Sequence, residues 1–326
     1  MSNSNDSLAL AADVGGTTTR LRFATRAGKV LHTARYDSAA FESLEPIVAR
    51  FCAETGASAI GAACFGIAGP IEVDSYTGVA RARVTNLPWI VDAAALGALL
   101  GGVRVRLVND FQAVGLGIEA LGADELVTLQ ASRAAPQMPR ALIGAGTGLG
   151  QGVLVWSGDH YEPIGTEGGH ADFAPADGEQ WALATELRAR HGHVSWERLL
   201  SGDGLEAIHA FLAQGANVAA MRSAAEITQA ALKQTDAIAM RALDMFVRLY
   251  GAQAGNLALT VGATGGVYIA GGIAPKIITK LRDGTFIAAF RNKGRMQRLL
   301  DAIPVYVVTN HDVGLIGATQ AAMRLL

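Results

Sequence analysis

The pattern of apolar and polar positions changes period several times along the chain. Val103, Val105 and Leu107 alternate with polar neighbours and predict a strand over 103–108. A helical pattern follows at once, with Val114, Ile118 and Leu121 on one face. Similar reasoning predicts a strand at 59–65 and helices at 42–55 and 92–100. The stretch 123–140 has two prolines and no strong period, so it is expected to be a linker or surface loop. The second half is richer in helix, with segments expected at 177–191, 195–200, 203–213, 224–232 and about 236–260. In the long one, Ile238, Ala242, Met245, Leu249 and Ala252 share a face and read as packed core. Strands are expected again at 267–270 and 304–308, before a last helix from about 312 to 325.

Glycine punctuates this pattern. Two clusters, "DVGGTTTRLRF" (13–23) and "IGAGTGLGQGVLVW" (143–156), share a layout of apolar run, Gly/Thr turn and second apolar run. Each reads as a hairpin with a Gly/Thr tip. They are too far apart for a solenoid period, so two related domains that each offer one tip is the simpler reading. A third cluster, "GGVYIAGGIAPK", covers 265–276.

The totals narrow the class of protein. A length of 326 residues implies about two domains with a sizeable core. Net charge is −2 and no run of five like charges occurs, so a nucleic-acid surface is not expected. The two cysteines, Cys52 and Cys64, read as buried free thiols of a reducing compartment, and no metal-ligand spacing of Cys and His exists. Residues 257–274 carry no charge, but five of these 18 residues are glycine, so a buried helix end, a turn and a buried strand are expected rather than a membrane span. The N-terminal stretch lacks a basic region and contains Asp6, unlike a signal peptide. A cytoplasmic protein follows from these readings.

Four places could carry chemistry. Asn109 and Asp110 stand where a strand becomes a helix. They read either as a helix cap or as a ligand site at the carboxyl end of a strand. The Gly-rich tips expose backbone N–H groups that suit phosphate, with hydroxyls from Thr17, Thr18 and Thr147. Asp13, at a strand end with no basic neighbour in the adjoining sequence, could face a hydrated Mg²⁺ or simply cap the turn. In "PIGTEGGHADFAP" (163–175), Glu167 and His170 flank two glycines that let the backbone fold tightly, so both side chains can point into one cavity and grip vicinal hydroxyls. In "GHVSWERLLSG" (192–202), Ser195 reads as a helix N-cap with an incomplete capping box, because Arg198 holds the acid position, and Glu197 falls in the first turn.

Taken in order, these motifs resemble those of the bacterial glucokinase family, within the hexokinase–actin ATPase fold. "DVGGTTTRLRF" resembles its first phosphate motif, "LVNDFQAVGLGI" its connecting segment with the catalytic Asp, and "GAGTGLGQG" its second phosphate motif. "EGGHADFAP" resembles its sugar-binding motif and "GGVYIAGGIAPK" its adenosine motif. The resemblance runs from about residue 8 to 320. Thr166 stands before "EGGH" where glycine or proline is expected. The zinc-type cysteine cluster of the related repressor–kinase group is missing, and only seven residues precede Leu8, which argues against a DNA-binding arm.

The resemblance implies an α/β, two-lobed actin-like (ribonuclease H-like) ATPase fold with an inter-domain cleft. It implies a small α/β domain of 1–119 plus 312–326 and a large α+β domain of 120–311. It also implies ATP-dependent phosphorylation of glucose at the 6-hydroxyl, with Asp110 as general base and Asn109 on the 3- and 4-hydroxyls. Glu167, His170 and Glu197 would hold the 1-, 2- and 3-hydroxyl side. Asp13 would face Mg²⁺ and the phosphates, while Gly15, Gly16, Thr17, Thr147 and Gly148 line the phosphates and Gly271 and Gly272 the adenosine. A homodimer is usual in that family, and no nucleic-acid or membrane partner is implied. Kinases for mannose, fructose or an N-acetylated amino sugar, and a non-catalytic sugar sensor, are the alternatives.

Overall fold

The computed structural model describes residues 7–57, 59–216 and 223–326. Contacts divide the chain into two compact units. The first comprises residues 1–122, 161–165 and 310–326, and the second 123–160 and 166–309.

In the first unit the strands are β1 (Leu8–Val14), β2 (Thr18–Thr25), β3 (Val30–Asp37), β4 (Ile60–Ile67), β5 (Ile71–Val73), β6 (Ala80–Arg83), β7 (Ile90–Asp92) and β8 (Arg104–Asn109). The main sheet has the order β3-β2-β1-β4-β8, and β5, β6 and β7 form a separate three-stranded ribbon. β1 runs antiparallel to β2 and parallel to β4, and β4 runs parallel to β8.

A period of two along β1 decides what each face of this sheet meets. Leu10, Ala12 and Val14 join a core with Phe23, Phe51 and Phe65. Ala9 and Ala11 turn the other way, into a core with Cys64, Val108, Leu315, Ala318 and Ala322. Those small residues let the last helix, Val313–Leu325, lie close to the sheet. It lies closer still to the helix Asp110–Gly117: a Cβ placed on Gly317 would come within 2.6 Å of the Gly117 amide nitrogen. That helix is shorter than its pattern implies. It ends at Gly117, a single 3-10 turn follows, and Ala113 and Leu116 rather than Val114 and Leu121 fill the core.

The second unit repeats the arrangement. Its strands are β9 (Leu126–Gln130), β10 (Arg140–Ala145), β11 (Leu149–Trp156), β13 (Val267–Ala270) and β14 (Val305–Val308). The intervening strand β12 (Tyr161–Thr166) is divided, with all but Thr166 grouped in the first unit. β10 is antiparallel to β11 and parallel to β13, just as β1 is to β2 and β4, and β13 is parallel to β14. The stretch expected to be a linker therefore contains a strand: β9 pairs antiparallel with β14 through Val127↔Val307. Its short alternation was too weak to outweigh the prolines on its far side.

The core behind this sheet is built on the helix Ala237–Val261, which Asp236 caps by accepting from Ala239 N–H at 2.8 Å. Ala242, Met245 and Leu249 are fully in the core, and Ile238 and Ala252 pack against its edge. The helix stops at Gly262 in the left-handed region, and the uncharged stretch continues through a turn into β13. Among the described residues no helix is long and apolar enough to cross a membrane. Cys52 and Cys64 are both free thiols, and burial pushes Cys64 up to about 12.

Candidate active site

Asn109 and Asp110 occupy the junction of β8 and its helix, in the first unit. Asn109 is a helix cap: Oδ1 accepts from Phe111 N–H at 2.9 Å, and its own N–H donates to Gln112 Oε1 at 3.0 Å. Its amide nitrogen also donates to Gly69 O at 3.0 Å. In the capping box Oδ1 also accepts from the Gln112 N–H, so both of its lone pairs are engaged and a ligand can be met only through the side-chain N–H groups. Cap and ligand roles are therefore compatible in one side chain. Asp110 Oδ1 accepts from Phe111 N–H at 2.8 Å. The Asp110 side chain is exposed, yet the surrounding protein strips enough hydration from the carboxyl to push its pKa up to about 6; the negative charge of Asp13 adds to the rise and the Phe111 N–H opposes it. A carboxyl that solvent can reach, but that holds its proton more tightly than usual, suits proton transfer near neutral pH.

Asp13, at the end of β1, faces the side of the sheet that carries the last helix. The expectation that it lacks a basic neighbour is incorrect. Arg20 is its direct partner in the β1–β2 register and ion-pairs with it. The same guanidinium ion-pairs with Asp312 and donates to His311 O at 3.2 Å from each terminal nitrogen. The seven-residue separation hid this, because only strand pairing across a hairpin brings the two together. Beyond Asp13 the hairpin tip is Gly15, Gly16 and Thr17, with Gly15 N–H donating to Thr18 O at 3.0 Å. Thr18 itself begins β2, where its hydroxyl accepts from Arg35 at 3.2 Å.

The second unit gathers the remaining residues. Its tip, Gly146, Thr147 and Gly148, is closed by Gly146 N–H donating to Gly148 O at 2.8 Å. Gly271 and Gly272, at the end of β13, lie beside it, since Ile273 N–H donates to Ala145 O at 3.2 Å. Two supports escaped sequence reasoning. The buried Tyr250 hydroxyl accepts from Ala145 N–H at 3.1 Å, immediately before the tip. Gly202, the first residue of a helix capped by Ser201, donates to Gly146 O at 3.0 Å.

Glu197 joins this tip to the turn bearing Glu167 and His170. Its Oε2 accepts from Leu149 N–H at 2.9 Å, and its Oε1 lies 3.8 Å from His170 Nδ1. Gly148 is required here, because a Cβ at that position would fall 2.5 Å from Glu197 Oε2. His170 Nε2 lies 3.8 Å from Glu167 Oε2, so the imidazole stands between two carboxylates. The helix expected at 195–200 does not form. Those residues make turns, with Ser195 in an isolated bridge to Asp172, although Ser195 Oγ still accepts from Arg198 N–H at 3.4 Å. Tertiary pairing has overridden the local cap signal. Thr166 fits its unusual place: its hydroxyl donates to Gln151 O at 3.2 Å and accepts from Gly168 N–H at 3.3 Å.

This chain matches the Glucokinase family over residues 10–325. It is 41% identical to the glucokinase of Nostoc punctiforme, over 98% of this chain and 99% of that one. The chain belongs to the glucokinase family. A crystal structure of a glucokinase from an Antarctic psychrotroph superimposes with a TM-score of 0.88 at 29% identity, covering 98% of this chain and 99% of that one. A ROK-family glucokinase from Streptomyces griseus, solved with glucose and AMPPNP, matches with a TM-score of 0.59 at 21% identity over 98% and 100% of the two chains, and shows the fold alone. These neighbours have the two-lobed actin-like ATPase fold, and the paired sheets with their Gly-tipped hairpins are its duplicated halves in this glucokinase-family chain.

Proposed function

We propose that this protein transfers the γ-phosphate of ATP to the 6-hydroxyl of glucose, with Asp110 as the general base. The observation that carries the base assignment is the Asp110 carboxyl: exposed, oriented by the Phe111 N–H, and raised to about 6. Support for the substrates comes from family membership, including the glucokinase at 41% identity.

A sugar hydroxyl is a weak acid, and phosphoryl transfer passes through a loose, largely dissociative transition state. The protein therefore mainly positions groups and neutralises charge. Asp110 orients the 6-hydroxyl and accepts its proton late in the transfer, an aid worth about 10²–10⁴ in rate. Asn109 contacts the 3- and 4-hydroxyls through its side-chain N–H groups. Glu167, His170 and Glu197 take the 1-, 2- and 3-hydroxyl side. The ring between two carboxylates offers donors and acceptors side by side, which suits vicinal hydroxyls. Gly15, Gly16, Thr17, Thr147 and Gly148 line the phosphates through backbone N–H groups and hydroxyls, and Gly271 and Gly272 face the adenosine.

Mg²⁺ fits this reading as an ion brought by the nucleotide. Among the described residues no three His, Cys, Asp or Glu side chains cluster into a metal site. Asp13 offers a single carboxylate with Oδ2 engaged by Arg20, so it would face the ion's water shell. An ion held there would supply positive charge to the phosphates. The proposal extends to a cytoplasmic homodimer. Light scattering on the purified protein measures the assembly, with a monomer mass as the contrary result.

Coupled measurement of ADP release with a panel of glucose, mannose, fructose and N-acetylated amino sugars tests the reading. The expected result is the highest kcat/KM for glucose. Absence of sugar-dependent ADP release would show a sensor instead, and preference for another sugar would reassign the substrate.

A further inference from the structure

Two stretches supply the sugar set, and a short ladder holds them together. Residues 169–173 and 194–197 run antiparallel, tied by Phe173 N–H to Val194 O at 2.9 Å, Trp196 N–H to Ala171 O at 3.1 Å and Glu197 N–H to Gly169 O at 2.9 Å. Only Asp172 and Ser195 form a bridge, so this is the minimum of a sheet. One side of the ladder is apolar and anchored: Phe173, Val194 and Trp196 are buried, and the two rings meet edge to face at 5.0 Å. On the other side Asp172 Oδ1 lies 2.5 Å from His193 Nε2. His193 is the diagonal neighbour of Asp172 across the bridge, the position from which long side chains reach each other.

The sugar residues hang from the far end of the same ladder. His170 lies two residues before Asp172, and Glu197 two residues after Ser195. Their own link, at 3.8 Å, is too long for a hydrogen bond. Gly168 and Gly169 give the turn before them no side-chain packing of its own. Among the described residues, the Asp172–His193 contact is thus the shortest side-chain link between the stretch with Glu167 and His170 and the stretch with Glu197.

We propose that Asp172 and His193 are a positioning pair, which fixes the register of the turn bearing His170 against the segment bearing Glu197 and thereby sets affinity for glucose. The inference rests on the sugar assignment made above. Both side chains are exposed, so the pair adds little to overall stability. Its value is geometric, since a hydroxyl-binding set depends on placement to a fraction of an ångström. Neither residue touches the phosphate tips or Asp110 in this reading, so turnover at saturating glucose is independent of the pair.

The test compares Asp172→Ala, His193→Ala, His193→Gln and the double variant Asp172→Ala/His193→Ala. Readouts are glucose KM and kcat, ATP KM, and glucose Kd by calorimetry. The two disruptive single variants are expected to raise glucose KM and Kd together, by about two- to fivefold, with kcat and ATP KM within about twofold of the parent. The double variant is expected to match the worse single, because the pair acts as a unit. His193→Gln, which keeps a donor for Asp172, recovers most of the loss. Unchanged glucose Kd in both single variants, or additive losses in the double, would overturn the pair. A parallel Glu197→Gln variant separates the two levels of inference. If it leaves glucose binding intact the sugar assignment itself fails, and if it abolishes binding while the pair variants bind normally only the pair fails.

Discussion

Arg20 lies directly across the β1–β2 ladder from Asp13, and its guanidinium ion-pairs with that carboxylate and with Asp312 ahead of the last helix. One side chain thus ties the end of the β1–β2 hairpin to the segment before the last helix. Replacing Arg20 with Ala leaves the partly buried Asp13 carboxylate without its partner, while Asp312 keeps Arg22 at 3.7 Å. KM for MgATP is expected to rise about tenfold, the equivalent of one charge-assisted hydrogen bond of roughly 1.5 kcal/mol. Glucose Kd without nucleotide should stay within twofold of the parent (on the order of 0.4 kcal/mol). Initial-rate kinetics and calorimetry read the two; an unchanged KM for MgATP would disconnect Arg20 from the nucleotide.

Asp110→Asn removes the proton acceptor and keeps the shape. A fall in kcat of about 10²–10⁴ is expected with glucose Kd little changed. In the parent the acid limb of kcat should fall near pH 6, where the carboxyl takes up its proton. Near-normal turnover in the variant would remove Asp110 from the mechanism.

The same carboxyl makes a prediction about stability with the opposite appearance. Its folded-state value is raised from 3.8 to about 6, so the folded form binds the proton more tightly than the unfolded chain. The stabilisation is complete below the unfolded value and is lost as pH rises through the folded one. Asp110→Asn, which cannot ionise, should therefore raise the melting temperature at pH 7.5, and the gain should shrink towards pH 4. Thermal scans across that range decide it; a gain that grew on acidification would contradict the shift.

Tyr250→Phe deletes one oxygen from the core. The buried Ala145 N–H loses its acceptor just before the second tip, at a cost of about 1–3 kcal/mol. Denaturant unfolding should show that loss, and KM for MgATP should rise while glucose KM holds. A loss of stability alone would confine Tyr250 to the core.

Gly317→Ala places a methyl group within 2.6 Å of the Gly117 amide nitrogen, where one backbone meets another. Overpacking of this kind costs about 1–3 kcal/mol. Chemical denaturation reports it, and a stability equal to the parent's would show that the two helices can part without penalty.

Local signals carried much of this fold. The hairpins at 13–23 and 143–156, the long helix with its apolar stripe, and the turn-and-strand reading of 257–274 all depend on period and glycine placement within one short window. Failures occurred where a partner lay far away. β9 exists because β14 offers an edge, and 194–197 run beside 169–173, which share their hydrogen bonds, before turning back at 197–200. Site residues divide in the same way. Asn109 and Asp110 were conspicuous as two polar residues at a strand end. Arg20 and Tyr250 were not, because nothing in "TTTRLRF" or "RLYGAQ" indicates what each will meet once folded.

The close crossing of Gly317 over Gly117 has a consequence for biosynthesis. The helix headed by Asp110 is translated well before residues 313–325, which supply the surface it rests on. The entire second unit must be made in between. Until then the nascent first unit lacks one layer of its core, so its packing is completed only after the second unit has been synthesised, even though its sheet can pair beforehand.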